Sequence, residues 1–351
     1  MLPAVAPGCF GQPLTDLMNI IIPMAGMGKR MRPHTLTVPK PLIPIAGKPI
    51  VQRLVEDIAK VCAEPIEGIA FITGHFGEAV EQHLLAVAES VGAKGQIIYQ
   101  EEALGTAHAV HCGAPLLKGP VIVAFADTLF KADFTLDTNS DGVIWVQQVA
   151  DPSAFGVVKM NDQRQITDFV EKPQTFVSDL AIIGIYYFKQ GEVLLSELQH
   201  LIDNDIKVKG EFQLTDALEN MKNKGTVFVP GQVDEWLDCG NKNATVFTNQ
   251  RYLEYIKDTK LVADSAEMVN SVVIPPVYLG ENVKLENAVV GPHVSVGNGC
   301  TVANTRIENT IVQTNSTIKN AVIANSMIGN HVVFEGSASD VSIGDYNIVK
   351  E

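Results

Sequence analysis

Beyond about Leu261 the chain repeats itself. Leu279, Leu285, Val290, Val296 and Val302, followed by Ile307, Ile318, Ile323 and Ile328, recur about every six residues among small polar side chains. Val290-Gly291-Pro292-His293-Val294-Ser295 and Val296-Gly297-Asn298-Gly299-Cys300-Thr301 are adjacent copies of one hexapeptide pattern. A turn with one aliphatic cannot bury it alone, so such repeats must stack, which predicts a parallel β-helix. Several intervals shorten after Val302, which predicts an irregular coil there.

Ahead of the repeats, short apolar runs alternate with amphipathic stretches. Ile20–Pro23, Gly68–Thr73, Gln96–Tyr99 and Val121–Phe125 read as buried strands, and Ile50–Val61, Phe76–Val87 and Thr106–Cys112 as helices. Strands then become denser, at Phe155–Lys159, Ile166–Val170 and Ala181–Phe188, before helices at Val193–Leu201 and Leu214–Met221. This alternation predicts a mainly parallel α/β sheet with ligands beyond the carboxyl ends of its strands. Residues 18–260 form that domain, 261–351 the repeat domain, and 1–17 a flexible extension without catalytic role.

The first strand runs into Met24-Ala25-Gly26-Met27-Gly28-Lys29-Arg30-Met31-Arg32-Pro33, and Pro39-Lys40-Pro41-Leu42 follows. Glycines bring backbone N–H groups close to a polyphosphate, and Arg30 and Lys40 neutralise its charge. A Walker A loop would need glycine at Pro23 and Ser or Thr at Arg30, and a dinucleotide fingerprint would need glycine at Met31. Both are excluded. Asp127, at the end of an apolar strand, and Asp238, in Glu235-Trp236-Leu237-Asp238-Cys239-Gly240, are the candidate Mg²⁺ ligands.

Composition excludes other classes. The chain has 351 residues, 46% hydrophobic, and a net charge of −14, which leaves no broad basic surface for nucleic acid. Five scattered cysteines (Cys9, Cys62, Cys112, Cys239, Cys300) lack C-x-x-C spacing, so they read as reduced thiols of a cytoplasmic protein. No apolar run is long enough to span a membrane. The eight histidines, among them His34, His75, His108 and His293, have no metal-ligand spacing. His293 and His331 read as surface turn residues of the repeats.

Taken in order, these motifs resemble the sugar nucleotidyltransferases, also called nucleotide-sugar pyrophosphorylases. The family loop G-G-x-G-T-R-L-x-P-x-T, continued by x-K-P-L, matches Ala25 to Thr35 and then Pro39 to Leu42. Gln100, Leu104-Gly105-Thr106, Asp127, Glu171-Lys172-Pro173, Gly184-Ile185-Tyr186, Gly210-Glu211, Leu214-Thr215-Asp216 and Trp236 to Gly240 follow in family order. Ala25 replaces the first loop glycine, Lys29 replaces threonine, and the residues before Gly184 are apolar rather than polar.

The resemblance implies a Rossmann-like nucleotidyltransferase domain followed by a left-handed parallel β-helix through which the chain self-associates. It implies attack of a sugar 1-phosphate on the α-phosphorus of a nucleoside triphosphate, with Mg²⁺ as cofactor and pyrophosphate leaving. Arg30, Lys40 and Asp127 would be catalytic, and Asp127 and Asp238 would hold the metal. Ala25, Gly26, Gly28, Arg30, Gln100, Gly105 and Thr106 would bind the nucleotide, with the Gln100 amide giving the base a donor and an acceptor. Lys40, Glu171, Lys172, Gly184 and Glu211 would bind the sugar phosphate. The expected pair is dTTP, or UTP, with glucose 1-phosphate. GTP with mannose 1-phosphate and UTP with N-acetylglucosamine 1-phosphate stay open. So do a second, acetyl-transfer activity in the repeats and a non-catalytic sensor of sugar nucleotides.

Overall fold

A computed structural model describes residues 17–26, 28–133, 135–336 and 341–350. The extension expected at 1–17, apart from Leu17, and the loop residue Met27 lie outside these. Strand β1 (Met18–Pro23) is buried along its whole length. Its side chains divide between two cores, Ile20 and Ile22 in one and Ile21 in the other. A two-residue pair, β2 (Pro44–Ile45) with β3 (Lys48–Pro49), precedes helix α1 (Ile50–Val61). The alternating half continues with β4 (Ile66–Thr73), α2 (Glu78–Ser90), β5 (Lys94–Tyr99), α3 (Thr106–Cys112) and β6 (Val121–Ala124).

Strands β4 and β6 repeat the division. Ile69, Phe71, Ile122 and Ala124 join the first core, and Ala70, Ile72, Val121 and Val123 the second. Burial on both faces is why these strands are continuous apolar runs, each isoleucine contributing about 1.5–3 kcal/mol. Most expected boundaries move by one to three residues. Helix α2 starts at Glu78 with Gly77 at its N-cap, and β6 stops at Ala124. Phe125 leaves the strand, and its N–H bonds Gly184 O at 2.9 Å.

The second half adds β7 (Thr128–Lys131), β8 (Gly142–Gln148), β9 (Gly156–Met160), β10 (Ile166–Glu171) and β11 (Leu180–Phe188). Helices α4 (Gly191–Asp203) and α5 (Leu214–Asn223) follow, then β12 (Phe228–Gln232), β13 (Glu235–Asp238) and α6 (Lys242–Tyr255). The main sheet runs β10-β9-β11-β6-β1-β4-β5, with β8 pairing β11 and β12. Its β6-β1-β4-β5 half is parallel, as expected, but β11 runs antiparallel to β6, β8 and β9. Strand order reverses at β1, which pairs β4 on one side and β6 on the other. A crevice opens there beyond the carboxyl ends. Among the described residues no helix is long and apolar enough to cross a membrane.

The repeats fold into three parallel sheets of short strands, a β-helix. Along one sheet, Glu267, Lys284, Thr301, Thr317, Val333 and Ile348 pair in succession. The coil does not become irregular after Val302; it shortens. The step is 17 residues between Asn270 and Asn287, 16 between Asn304 and Asn320, and 15 between Asn330 and Asp345. Corners are turned by residues at positive φ, including Asn270, Asn287, Asn304 and Asn320. Asparagine tolerates this conformation, and here each of these amides also bonds the next coil, ending on Glu335. The aliphatics that marked the repeat (Leu285, Val290, Val296, Val302, Ile307, Ile318, Ile323 and Ile328) form the interior.

One face of the β-helix packs on the α/β part. Ile311 and Met327 share a core with Ile20 and Ile22. Ser295 Oγ donates to Asn249 Oδ1 at 2.7 Å, and that oxygen also receives Ala46 N–H at 2.9 Å. His293, expected on the surface, is instead held by Glu254, with Nε2 to Oε1 at 2.7 Å. His331 is exposed and stacks on Tyr346.

The last coil reaches the loop after β1. His34 Nε2 lies 2.8 Å from Ser342 Oγ, and Thr37 Oγ1 donates to Asp345. Burial pulls the His34 pKa down to about 4, opposed by Asp345 and assisted by Lys242. A depressed histidine stabilises the fold fully above its unfolded pKa and loses that contribution as acid protonates the unfolded chain first. Stability is therefore expected to fall between pH 6.5 and about 4, by at most about 3 kcal/mol from this group. Denaturant midpoints at pH 7.5 and 4.5 check this, with a smaller drop expected in His34→Asn.

Candidate active site

The loop after β1 closes on itself. Gly28 has φ +55°, and a Cβ there would come within 3.0 Å of both Lys40 Cβ and Thr35 Cγ2. Thr35 Oγ1 also donates to Gly28 O at 2.8 Å. Gly28 caps a short 3₁₀ turn, Lys29–Met31, and a second such turn, Lys40–Leu42, carries the buried lysine. The two turns thus set Lys29, Arg30 and Lys40 around one space.

That space is a cavity of about 480 Å³ at the β1–β6 crevice. Its lining includes Ala25, Gly26, Gly28, Lys29, Arg30 and Lys40 with Asp127, and Gln100, Gly105 and Thr106 with Glu211. The volume suits a small-molecule ligand. Lys29, to which sequence reading gave no role, adds a third cation here. Lys40 Nζ pairs with Asp127 Oδ2 at 2.9 Å, the lysine side chain being 10% exposed and the aspartate 46%.

Asp238 is brought beside Asp127 by pairing of β13 with β7, and Cys239 N–H donates to Asp127 O at 3.0 Å. Burial and then the Asp127 charge push the Asp238 pKa up, while the Gly240 N–H, Lys40 and Arg30 pull it down. Two like charges forced together and flanked by only a few cations fit a divalent ion, which needs one or two carboxylates and otherwise takes phosphate oxygens and water. Among the described residues there is no group of three or more His, Cys, Asp or Glu that could form an all-protein metal site.

Gly105 fixes the opposite wall. It has φ +116°, and a Cβ would lie 2.4 Å from Phe212 O and 2.7 Å from Phe212 N. Phe212 N–H bonds Leu104 O, and Phe212 O receives Ala107 N–H, so the two segments are laced together. Thr106 begins α3, as expected, and its Oγ1 accepts Leu214 N–H at 2.9 Å. Gln100 Nε2 faces Gly105 O at 3.4 Å and His108 Nδ1 at 3.0 Å.

The remaining expected sugar residues stand apart. Glu171, Lys172 and Gly184, like Asp238, are not among the residues lining this cavity. Glu171 and Lys172 form an ion pair of 3.2 Å at the end of β10. Burial pushes the Tyr186 hydroxyl pKa up, and the charges of Glu171 and Asp127 add to it. Gly184 interrupts the pairing of β11 with β8 and accepts the Phe125 N–H, and Phe125 does line the cavity. Asp216, which sequence reading quoted only within its motif, has a pKa raised by burial and by Glu171.

Residues 19–254 match the family model for nucleotidyl transferases. The chain belongs to that family and is a sugar-1-phosphate nucleotidyltransferase. Among curated relatives, the low-salt glycan biosynthesis nucleotidyltransferase Agl11 of Haloferax volcanii is 29% identical over 86% of this chain and 89% of its own. A glucose-1-phosphate thymidylyltransferase of Streptomyces griseus is 27% identical over 86% and 88%. The bifunctional protein GlmU of Methanococcus maripaludis is 29% identical over 73% of this chain, which spans 60% of that longer protein. A UDP-glucose pyrophosphorylase solved with UDP-glucose shares the fold, with a TM-score of 0.57 at 23% identity over 68% of this chain and 99% of its own.

Proposed function

We propose that this enzyme joins the nucleotidyl group of dTTP, or UTP, to glucose 1-phosphate, releasing pyrophosphate. The observation that carries the reading is the convergence of Lys29, Arg30, Lys40 and the glycine loop on one cavity together with Asp127, which Lys40 contacts. A relative named glucose-1-phosphate thymidylyltransferase aligns with 86% of the chain, repeats included.

In the reaction a phosphate oxygen of the sugar 1-phosphate bonds to the α-phosphorus as the bond to the α–β bridging oxygen breaks. The nucleophile is already anionic, so no general base is required; the work is alignment and charge neutralisation. Arg30, exposed in the loop, meets the β- and γ-phosphates and the charge of the departing pyrophosphate. Lys40 draws the α-phosphate and the sugar phosphate together, releasing its hold on Asp127 as it does so. Asp127 and Asp238 would hold Mg²⁺, which supplies charge neutralisation across the reacting phosphates. Glu211, in the cavity wall, and Glu171, near Tyr186, accept from sugar hydroxyls, and Lys172 meets the sugar phosphate. Self-association through the β-helix is supported by Val272, Val289 and Val322, which are exposed in one sheet.

The test is pyrophosphate release across five nucleoside triphosphates and the 1-phosphates of glucose, mannose, galactose and N-acetylglucosamine. Turnover is expected with dTTP or UTP and glucose 1-phosphate, abolished by EDTA and by Asp127→Ala. Turnover with GTP and mannose 1-phosphate alone would overturn the substrate pair. Silence throughout, in protein that still binds nucleotide, would favour a sensor.

A further inference from the structure

The Gln100 carboxamide does not have a donor to spare. Its nitrogen carries two hydrogens, and two acceptors face it, Gly105 O and His108 Nδ1. A carbonyl oxygen only accepts, so turning the amide over would set Oε1 against the Gly105 oxygen. The orientation is therefore determined, and Oε1 is the atom left for a ligand. His108 Nδ1, taking one of these hydrogens, is in turn unprotonated, with the ring hydrogen on Nε2.

We propose that His108 is a positioning residue for base selection: by accepting from Gln100 it presents Gln100 Oε1 to the base as an acceptor alone. A base edge with a ring N–H (thymine, uracil, guanine) then fits. Cytosine and adenine set a ring-nitrogen lone pair against that oxygen and can reach it only through their neighbouring amino group after a shift of the base, so they bind more weakly. The proposal deepens the reading of the functional site and rests on Gln100 facing the base.

Protonation reverses the arrangement. With hydrogen on Nδ1 the ring no longer accepts, and Gln100 must either lose this bond or turn its oxygen toward the ring. Burial and then His111, one turn along α3, lower the His108 pKa, while Glu102 in the preceding loop raises it through its charge and backbone. The neutral, orienting form is thus the resting one at neutral pH.

Equilibrium binding by calorimetry tests this without catalysis. Affinities for dTTP and dCTP are compared at pH 7.5 and 5.5 in the wild type, His108→Leu, His108→Asn and Gln100→Ala. Asparagine sets its Oδ1 close to the Nδ1 position and does not titrate. In the wild type the preference for dTTP over dCTP is expected to be full at pH 7.5 and to shrink, by up to about tenfold, only as His108 protonates, which its lowered pKa places below the ordinary histidine range. His108→Leu is expected to show that reduced preference at both pH values, and His108→Asn to keep the full preference at both. A preference unchanged in His108→Leu but lost in Gln100→Ala would overturn the role of His108 while leaving Gln100 as base reader. A preference unchanged in both variants would overturn the base-reading assignment itself, and the proposal with it.

Discussion

Lys40→Met is expected to lower kcat about 10²–10³-fold while shifting the melting temperature by only a few degrees. The methionine fills the path of the lysine stem, so the turn Lys40–Leu42 keeps its packing. The abandoned partner, Asp127, is 46% exposed and stays hydrated, so little of the loss passes into stability. On the proposed reading, what disappears is the buried cation that draws the α-phosphate and the incoming phosphate together. A second signature follows from Asp238, whose raised pKa is held down partly by Lys40. Without the lysine this carboxyl protonates at higher pH, so the acid limb of the residual activity is expected to move upward. A kcat within tenfold of wild type would remove Lys40 from the reaction.

Gly105→Ala is expected to act through the backbone rather than through charge. An alanine Cβ would stand 2.4 Å from Phe212 O, and that oxygen is committed to Ala107 N–H. Neither wall is a flexible side-chain end, so the segment from Leu104 to Ala107 must separate from Phe212. The cost is expected at about 2–4 kcal/mol, with loss of nucleotide binding, since Gln100 donates to the carbonyl of Gly105 itself, which moves with that segment. Denaturant unfolding and nucleotide titration read the two losses separately. Wild-type affinity in a stably folded variant would show that the wall is not needed.

The parts legible in the sequence were those with a strong period. Strands β1, β4 and β6 are buried on both faces and so read as unbroken apolar runs. The β-helix interior writes one aliphatic about every six residues. Helix α6 was missed because it buries Thr245, Thr248 and Asn249 beside Val246, Tyr252 and Leu253, so no apolar stripe shows. Strands β7 and β13 are four residues each and draw their order from each other rather than from a pattern of their own.

The site divides the same way. Gly26, Gly28, Arg30, Lys40, Gln100, Gly105 and Asp127 do meet at one cavity, and their motif spacing was the signal. Their exchange of hydrogen bonds was not legible. The pair Lys40–Asp127 joins positions 87 residues apart, and the use of both Gln100 hydrogens depends on a carbonyl and a ring nitrogen that no motif specifies. His108 carried one local signal: it lies in the first turn of the helix that Thr106 starts, close behind the glutamine.

The contact between His34 and Ser342 spans 308 positions. A ribosome therefore exposes the nucleotide loop long before it makes the coil that packs on it. During that interval His34 lacks its Ser342 partner, and Pro33, packed so near Gly344 that a Cβ there would stand 3.0 Å from it, lacks its cover. A nascent chain that has finished its α/β sheet is still without the final neighbours of its phosphate loop. Synthesis order thus makes the last coil a completion step, separating a folded sheet from a finished binding site.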